Sequence, residues 1–393
     1  MNPLEIQPKQ RRVSVTRSPR RFIALAFALG AWIAASTLLT VALARDSDSE
    51  EGSAQAQHLE DGPTRGPLML KEQGMFYVGG DIVHTDWAAA KGLVSSFSGS
   101  GDIAINQMYV SFMVPAVQRG VPIILMHGGT LSGACYETTP DGRMGWYEYF
   151  ARKGHAVYLP DQVSRARSGF NVTAFNEVGA GVRPPSALPN MFVVTKAQTW
   201  PLFRFGPSLG TAFADEQFPV EAIDELAKQS IPDQNVEFQN PPSINFITQT
   251  RLAELGVKIG GAVLVGHSES GVYPEQAALQ NAAGLRGLIS IEPGPSCGAT
   301  TLSKAQIAKL AKLPTLVVFG DHIGDVQTPP LNWPAALADC QQYVDEINQA
   351  GGDATMLHLP AAGVFGNSHM LFQDKNNLDV GDMILEWIDA HVK

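Results

Sequence analysis

Cysteine is scarce in this chain, which has only Cys135, Cys297 and Cys340 in 393 residues. Their spacing fits neither a zinc knuckle nor a CxxC motif. The sequence also lacks an HExxH motif, a P-loop and a dinucleotide-binding glycine motif, so it implies no metal and no nucleotide cofactor. In an exported chain, three cysteines allow one disulfide and one free thiol. The spacing does not decide which pair is bonded.

Basic residues are few outside the N-terminus. The formal net charge is -10. Residues 1–44 contain six basic residues and one acid, a net charge of +5, so the rest of the chain carries -10 - 5 = -15. A body this acidic repels phosphates, and we therefore expect no nucleic-acid partner.

The N-terminus contains a segment without charge, Phe22 to Ala44, which is 23 residues long. As a helix it would extend roughly 35 Å, enough to cross a bilayer. A basic region precedes it, and Ala42-Leu43-Ala44 matches a small-x-small cleavage site. Residues 1–44 are thus predicted to be a signal peptide or a signal anchor. The protein would be periplasmic or secreted, and either cleaved or anchored by residues 22–44.

Residues 45–65 follow as an acidic stretch with few large apolar side chains. Such a composition cannot bury enough apolar surface to fold, and it predicts a disordered linker. The folded domain is predicted to occupy residues 66–393.

Within that domain, short apolar runs alternate with segments of helical periodicity, which is typical of a parallel α/β sheet. Several runs are almost continuously apolar, as expected for strands that are buried on both faces. We therefore predict a mostly parallel central sheet with helices on both faces. The predicted strands are 103–114, 122–127, 156–160, 261–266, 287–292, 314–320 and 354–360. The predicted helices include 146–153, 274–283, 333–350 and 380–391.

One interval, about 170–246, shows no clear strand and is rich in proline and aromatic residues. An insertion of this length in a compact domain is usually a lid or a binding element. We predict a cap over the carboxyl edge of the sheet, and a packed surface loop is the alternative.

The sequence "GHSESG" follows the apolar run 261–266 and precedes a predicted helix. This placement is typical of a nucleophile elbow, G-x-S-x-G, in which small residues flank the serine in a tight turn. Here Ser268 takes the position of the nucleophile. Ser270 occupies the fifth position, where its side chain is expected to strain the tight turn. The glycine comes one position later, at Gly271.

A serine nucleophile requires a base and an acid. His369, in "GNSHM" between the last strand and the last helix, is the predicted base, with His322 as the alternative. Two carboxylates compete for the acid. Asp321 follows the strand 314–320, and Glu292 ends the strand 287–292, which lies 292 - 268 = 24 residues after Ser268.

The turn "HGGT" closes the strand 122–127 and offers backbone N–H groups to a developing oxyanion. We predict that Gly129 and Glu269, the residue after the nucleophile, form an oxyanion hole. Thr130 is the alternative to Gly129.

From Met75 to the C-terminus the chain resembles the α/β-hydrolase superfamily, and within it a group of bacterial carboxylesterases with a Ser-Glu-His triad. The stretches that carry the resemblance are "MFYVGGDIVHTDW", "HGGTLSGACYETTPDGRMGW", "DQVSRARSG", "GHSESG", "IEPG", "FGDHI" and "GNSHMLFQDKNNLDVGDMILEWI". The resemblance implies that Ser268 is the nucleophile, His369 the base and Glu292, rather than Asp321, the acid. A serine at the fifth position of the elbow also belongs to the pattern of this group.

The expected function is therefore that of a serine carboxylesterase that acts through an acyl-enzyme on a small-molecule ester. The alternatives are a lactonase or polyester hydrolase with the same triad, and a non-catalytic, ligand-binding relative. The natural ester and the oligomeric state stay open, with a homodimer as one alternative. Contact with a membrane is expected only through the N-terminal segment.

Overall fold

Eight strands form one sheet in the computed structural model, which describes residues 66–85, 101–179, 181–234, 243–294, 296–329 and 331–393. The strands are β1 (Leu70–Thr85), β2 (Gly101–Pro115), β3 (Ile123–Met126), β4 (Val157–Pro160), β5 (Ala262–His267), β6 (Leu285–Ile291), β7 (Thr315–Phe319) and β8 (Ala354–His358). Their order in the sheet is β1-β2-β4-β3-β5-β6-β7-β8.

The sheet is parallel from β4 to β8 and antiparallel at one edge, where β2 pairs with β1 and with β4. The seven predicted strands and the mostly parallel α/β architecture are confirmed. The long edge strand β1 was not predicted. It contains the pair Gly79-Gly80 and is largely exposed, so its sequence has little apolar patterning.

Ten α-helices are present in the described part of the chain, and the four predicted ones are among them. They are α1 (Ala134–Glu137), α2 (Trp146–Arg152), α3 (Thr173–Gly179), α4 (Lys196–Leu202), α5 (Ile223–Gln229), α6 (Ile244–Lys258), α7 (Tyr273–Asn281), α8 (Lys304–Leu310), α9 (Trp333–Gln349) and α10 (Asn377–His391).

Helices cover both faces of the sheet. Along β3, Ile123 and Leu125 belong to one hydrophobic cluster together with buried residues of α2 and α10. Ile124 and Met126 belong to the other cluster, with residues of α6, α7 and α9. Because successive side chains of a strand point to opposite faces, a strand covered on both sides must be apolar throughout. This explains the continuous apolar runs.

The described residues of the interval 170–246 contain short helices and no strand of the sheet. An isolated bridge joins Phe192 to Asp233. The cap role predicted for this interval stays a prediction. The predicted signal segment 1–44 and linker 45–65 lie outside the described residues. Among the residues that are described, none of the helices has the length and apolarity needed to span a bilayer.

A disulfide joins Cys297, in the loop after β6, to Cys340 in α9, and Cys135 is a buried free thiol. This pairing answers the question that the cysteine spacing left open. The two residues are 43 positions apart. The bond therefore closes a long loop across the region that follows Glu292.

Replacing both Cys297 and Cys340 with serine is expected to lower the free energy of unfolding by about 4 kcal/mol, from the loop-closure entropy of the unfolded chain. Denaturant titration of the oxidised protein and of the double variant measures this difference. The matched control is Cys135→Ser, which removes a thiol but no cross-link. A double variant as stable as the oxidised protein would contradict a structural role for the bond.

Candidate active site

Three predicted residues meet where parallel strands end at one edge of the sheet. Ser268 follows β5, Glu292 follows β6, and His369 lies in the loop between β8 and α10. Ligand sites of open α/β sheets lie outside the carboxyl ends of the strands. The topology thus gathers side chains that are as many as 101 positions apart in sequence.

The turn at Ser268 is tight and left-handed, with φ 57°. A Cβ on Gly266 would lie 2.0 Å from the carbonyl oxygen of Ser270, so only glycine fits there. A Cβ on Gly271 would lie 2.5 Å from Pro293 Cα, which explains the delayed glycine. These contacts form the elbow that the sequence predicts.

The predicted strain at Ser270 is not observed. Ser270 is not among the described residues with positive φ. Its hydroxyl accepts the N–H of His267 at 2.9 Å and lies 3.1 Å from the carbonyl oxygen of Met126. The hydroxyl therefore ties the elbow to the end of β3, a contact that a glycine could not make.

The structure brings Ser268, His369 and Glu292 into one hydrogen-bonded row. His369 Nε2 lies 2.8 Å from Ser268 Oγ, and His369 Nδ1 lies 3.1 Å from Glu292 Oε2. A carboxylate only accepts, so Nδ1 carries the proton and Nε2 accepts from the serine. This is the tautomer that a general base requires.

The electrostatics of the row favour the same protonation states. Burial raises the pKa of Glu292, but the charge of Arg204 and the hydrogen bond from His369 outweigh it and lower that pKa to about 2. Burial lowers the pKa of His369 from its usual value of 6.5. Glu292 acts in the opposite direction but does not outweigh burial. Near pH 7, Glu292 is thus charged and His369 is neutral and able to take a proton.

The alternative acid and base have other partners. Asp321 accepts the N–H groups of His322 and Gly366 through its two carboxylate oxygens. His322 bonds to Asp215 and Asp325 through its two ring nitrogens. Asp215, Asp321 and His322 have the residue types of a metal site. Two members of this cluster bond to each other, since His322 Nε2 lies 3.1 Å from Asp215 Oδ1.

The turn Gly128-Gly129, which holds one predicted oxyanion donor, packs against Ser268 and Glu269. A Cβ on Gly129 would be 3.5 Å from Glu269 Oε2, and a Cβ on Gly128 would be 2.8 Å from Ser268 Cβ. In the described part of the chain, the Gly129 N–H donates to no acceptor. Glu269 is the second residue of the 3-10 helix Ser268–Val272. Its N–H therefore has no acceptor within that helix.

Thr130, the alternative donor, is already bonded. Its N–H donates to Asp233 Oδ2 at 3.0 Å, and its carbonyl oxygen accepts the N–H of Ile231. Both partners belong to the insertion 170–246. The insertion therefore holds the turn next to Gly129 in place.

Two buried arginines near the row were not singled out in the sequence. Arg165 donates to the carbonyl oxygen of Gly128 and to Glu269, and it forms an ion pair with Asp233. It lies within "DQVSRARSG", a stretch that carries the resemblance and could have indicated it. Arg204 is paired with Glu292. It lies in the insertion, where no motif marks it.

Two other histidines support the backbone. His267 Nε2 lies 2.9 Å from the carbonyl oxygen of His369. His127 Nε2 accepts the N–H of Gln162, so its Nδ1–H donates to the carbonyl oxygen of Gly128. Burial and the charge of Arg165 lower the pKa of His127 to about 4, which keeps it neutral. Their structural role agrees with the sequence-based choice of His369 as the base.

Comparison with known proteins defines the family. A solved structure described as a novel bacterial esterase is 42% identical, covers 84% of this chain and 98% of its own chain, and superposes with a TM-score of 0.77. The chain therefore belongs to the α/β-hydrolase superfamily, in the same family as this bacterial esterase.

A curated relative, the probable secreted lipase phiG of Fungal sp. (strain ATCC 74256), is 26% identical over 342 residues. The match covers 76% of this chain and 90% of the relative. No family model matches the chain.

Proposed function

We propose that the protein is a serine carboxylesterase that hydrolyses carboxylic esters through an acyl-enzyme on Ser268. The observation that carries this proposal is the row in which His369 Nε2 lies 2.8 Å from Ser268 Oγ while Glu292 accepts from Nδ1. The family, which includes a solved bacterial esterase, supports the same chemistry.

In the acylation half, Ser268 Oγ attacks the ester carbonyl carbon while its proton passes to His369 Nε2. The carbonyl oxygen becomes negative and is stabilised by the N–H groups of Gly129 and Glu269. Glu292 stabilises the imidazolium. When the intermediate collapses, His369 returns the proton to the alkoxy oxygen and the alcohol leaves.

In the deacylation half, a water molecule takes the place of the alcohol. His369 Nε2 accepts a proton from the water as its oxygen attacks the acyl carbon, and the same two N–H groups stabilise the second oxyanion. Collapse releases the carboxylic acid and returns the proton to Ser268 Oγ. No other reactant is needed.

The same proposal includes export, with residues 1–44 as the signal peptide or anchor. The curated relative is a probable secreted lipase, and the disulfide between Cys297 and Cys340 is typical of an oxidising compartment. The insertion 170–246 is proposed to act as the cap that shapes the ester site. Its Asp233 accepts from Thr130, in the turn after β3, and its Arg204 donates to Glu292.

The proposal is tested with a panel of p-nitrophenyl esters of increasing acyl length, a γ-lactone, a polyester film and an emulsified triacylglycerol. We expect turnover of soluble esters by the purified protein, with Ser268→Ala as the blank for spontaneous hydrolysis. Higher kcat/KM on the lactone or the film would make the alternative function the principal one, and preference for the emulsion would indicate a lipase. A protein that turns over none of these substrates would contradict the proposed function.

A further inference from the structure

Arg204 is a fully buried arginine that contacts the acid of the triad from the insertion. We propose that Arg204 is a positioning residue of the reaction, which fixes the orientation of Glu292 and balances its charge, so that the insertion belongs to the catalytic machinery. This inference rests on the proposed function, because it assigns Arg204 a part in the same ester hydrolysis.

The two oxygens of Glu292 have separate partners. Oε1 accepts from Arg204 Nη2 at 2.5 Å and from the N–H of Gly320 at 2.5 Å. Oε2 is left to accept from His369 Nδ1 at 3.1 Å. The donors on Oε1 therefore decide which oxygen faces the imidazole, and they hold it there before substrate binds.

Arg204 is itself held at several points. Its Nε donates to the carbonyl oxygen of Asp321 at 2.7 Å, and its guanidinium lies 5.0 Å from the ring centre of Trp333. Trp333 in turn packs 4.7 Å from the ring of His369. The guanidinium thus occupies one defined position between the end of β7 and the base.

The backbone around Arg204 is also part of the site. The preceding carbonyl oxygen, that of Phe203, accepts the N–H of His369 at 2.9 Å. Arg204 adopts a left-handed φ of 61°, which is unfavourable for a residue with a side chain. Two consecutive residues of the insertion therefore contact the base and the acid, and the strained backbone allows both contacts.

The charge of Arg204 bears on the proton affinity of the Glu292–His369 pair. A buried positive charge disfavours a further proton on the pair. Removing the charge of Arg204 therefore makes the pair more basic. The other titratable groups that face the pair or Arg204 are His267, Glu216, Asp321 and Asp374. Burial and the neighbouring His369 lower the pKa of His267, whereas burial and Asp374 raise the pKa of Glu216 to about 9.

Burial raises the pKa of Asp374 to about 6. Its carboxylate oxygens bond to Asn367 and Ser368, and those of Asp321 bond to backbone N–H groups. Within the described residues, Glu292 accepts no hydrogen bond from the side chains of the four titratable groups His267, Glu216, Asp321 and Asp374. Arg204 is the cation that contacts the acid there, so the acid limb of the pH profile should respond to it in particular.

The experiment measures kcat and kcat/KM from pH 4 to pH 9 for the wild type, Arg204→Met, Arg204→Lys and Arg165→Met, with folding checked by near-UV circular dichroism. Since kcat/KM reports the free enzyme, its acid limb follows protonation of the pair. We expect Arg204→Met to lower kcat by roughly 10- to 100-fold and to move the acid limb up by on the order of one pH unit.

Arg204→Lys keeps the charge but not the planar fork that reaches both Glu292 and Asp321. We expect its acid limb at the wild-type position, with kcat reduced about 10-fold. Arg165→Met is the matched control, because it removes a buried, ion-paired arginine that contacts neither Glu292 nor His369. Its acid limb should stay at the wild-type position even if kcat falls.

An unmoved acid limb in folded Arg204→Met would overturn the inference. If Arg204→Met does not fold, Arg204→Lys decides, and a wild-type kcat in that variant would contradict the positioning role. Wild type and Ser268→Ala are run in the same assay. Wild-type turnover that survives in Ser268→Ala contradicts the proposed function, whereas serine-dependent turnover with no effect at Arg204 contradicts only this inference.

Discussion

Replacing Ser268 with alanine is expected to lower kcat by on the order of 10⁴ to 10⁶ while the protein stays folded. The change removes the oxygen that His369 Nε2 contacts at 2.8 Å but keeps Cβ and the left-handed turn. Because the lost contact is one hydrogen bond at a partly buried site, the free energy of unfolding should change by only about 1 kcal/mol. Steady-state kinetics and thermal unfolding of the same preparations measure the two effects.

Ser270→Ala is the matched control for this prediction, since it removes a hydroxyl two positions away in the same turn. That hydroxyl accepts the N–H of His267, so its loss leaves a buried donor unpaired and costs about 1–3 kcal/mol of stability. The activity of the folded variant should stay within about 10-fold of the wild type. If Ser270→Ala abolishes activity and Ser268→Ala does not, the elbow is centred on the wrong serine.

Replacing Glu292 with glutamine is expected to lower kcat by roughly 10² to 10⁴. Arg204 and the Gly320 N–H both donate to Oε1, so the amide oxygen must occupy that place. The NH₂ group would then face His369 Nδ1 and donate to it, which forces the proton onto Nε2. In that tautomer Nε2 has no lone pair for Ser268, and the charge of Arg204 loses its partner.

Asp321→Asn serves as the comparison, because Asp321 is the other carboxylate that the sequence offered. Its oxygens accept from His322 and Gly366 rather than from His369. We expect kcat within about 10-fold of the wild type, measured on the same ester. A large loss in Asp321→Asn with near-normal activity in Glu292→Gln would contradict the Ser-Glu-His assignment.

Much of the fold could be predicted because the sheet is covered on both faces. Each central strand had to be apolar throughout, and two members of the row stood out as polar residues next to such a run, Ser268 after β5 and Glu292 after β6. Since parallel strands end at one edge, this placement indicated that Ser268 lies near both Glu292 and Asp321, and the resemblance decided between the two acids.

The edge strand β1 could not be predicted in the same way. Its stability depends on pairing with β2, from Leu70 opposite Pro115 to Thr85 opposite Gly101, rather than on a buried apolar face. Most of its side chains are exposed, and Gly79-Gly80 interrupts its pattern. Long-range pairing leaves little trace in a local window of sequence.

Arg204 could not be predicted for a related reason. Its partner Glu292 is 88 positions away, and the segment around Arg204 matches no motif. Burial of a charge is decided by the tertiary partner, which local sequence does not contain. Ser270 shows the same limit, since its bond to Met126 depends on a strand 144 positions earlier.

The central claim, that Ser268 is the nucleophile activated by His369, is tested most directly by covalent labelling. The folded protein is treated with a fluorophosphonate, digested, and mapped by tandem mass spectrometry, with Ser268→Ala and Ser270→Ala treated in parallel. The account predicts one phosphonyl group on Ser268 in the wild type and in Ser270→Ala, and none in Ser268→Ala. A label on another residue, or none on the folded wild-type protein, would contradict it.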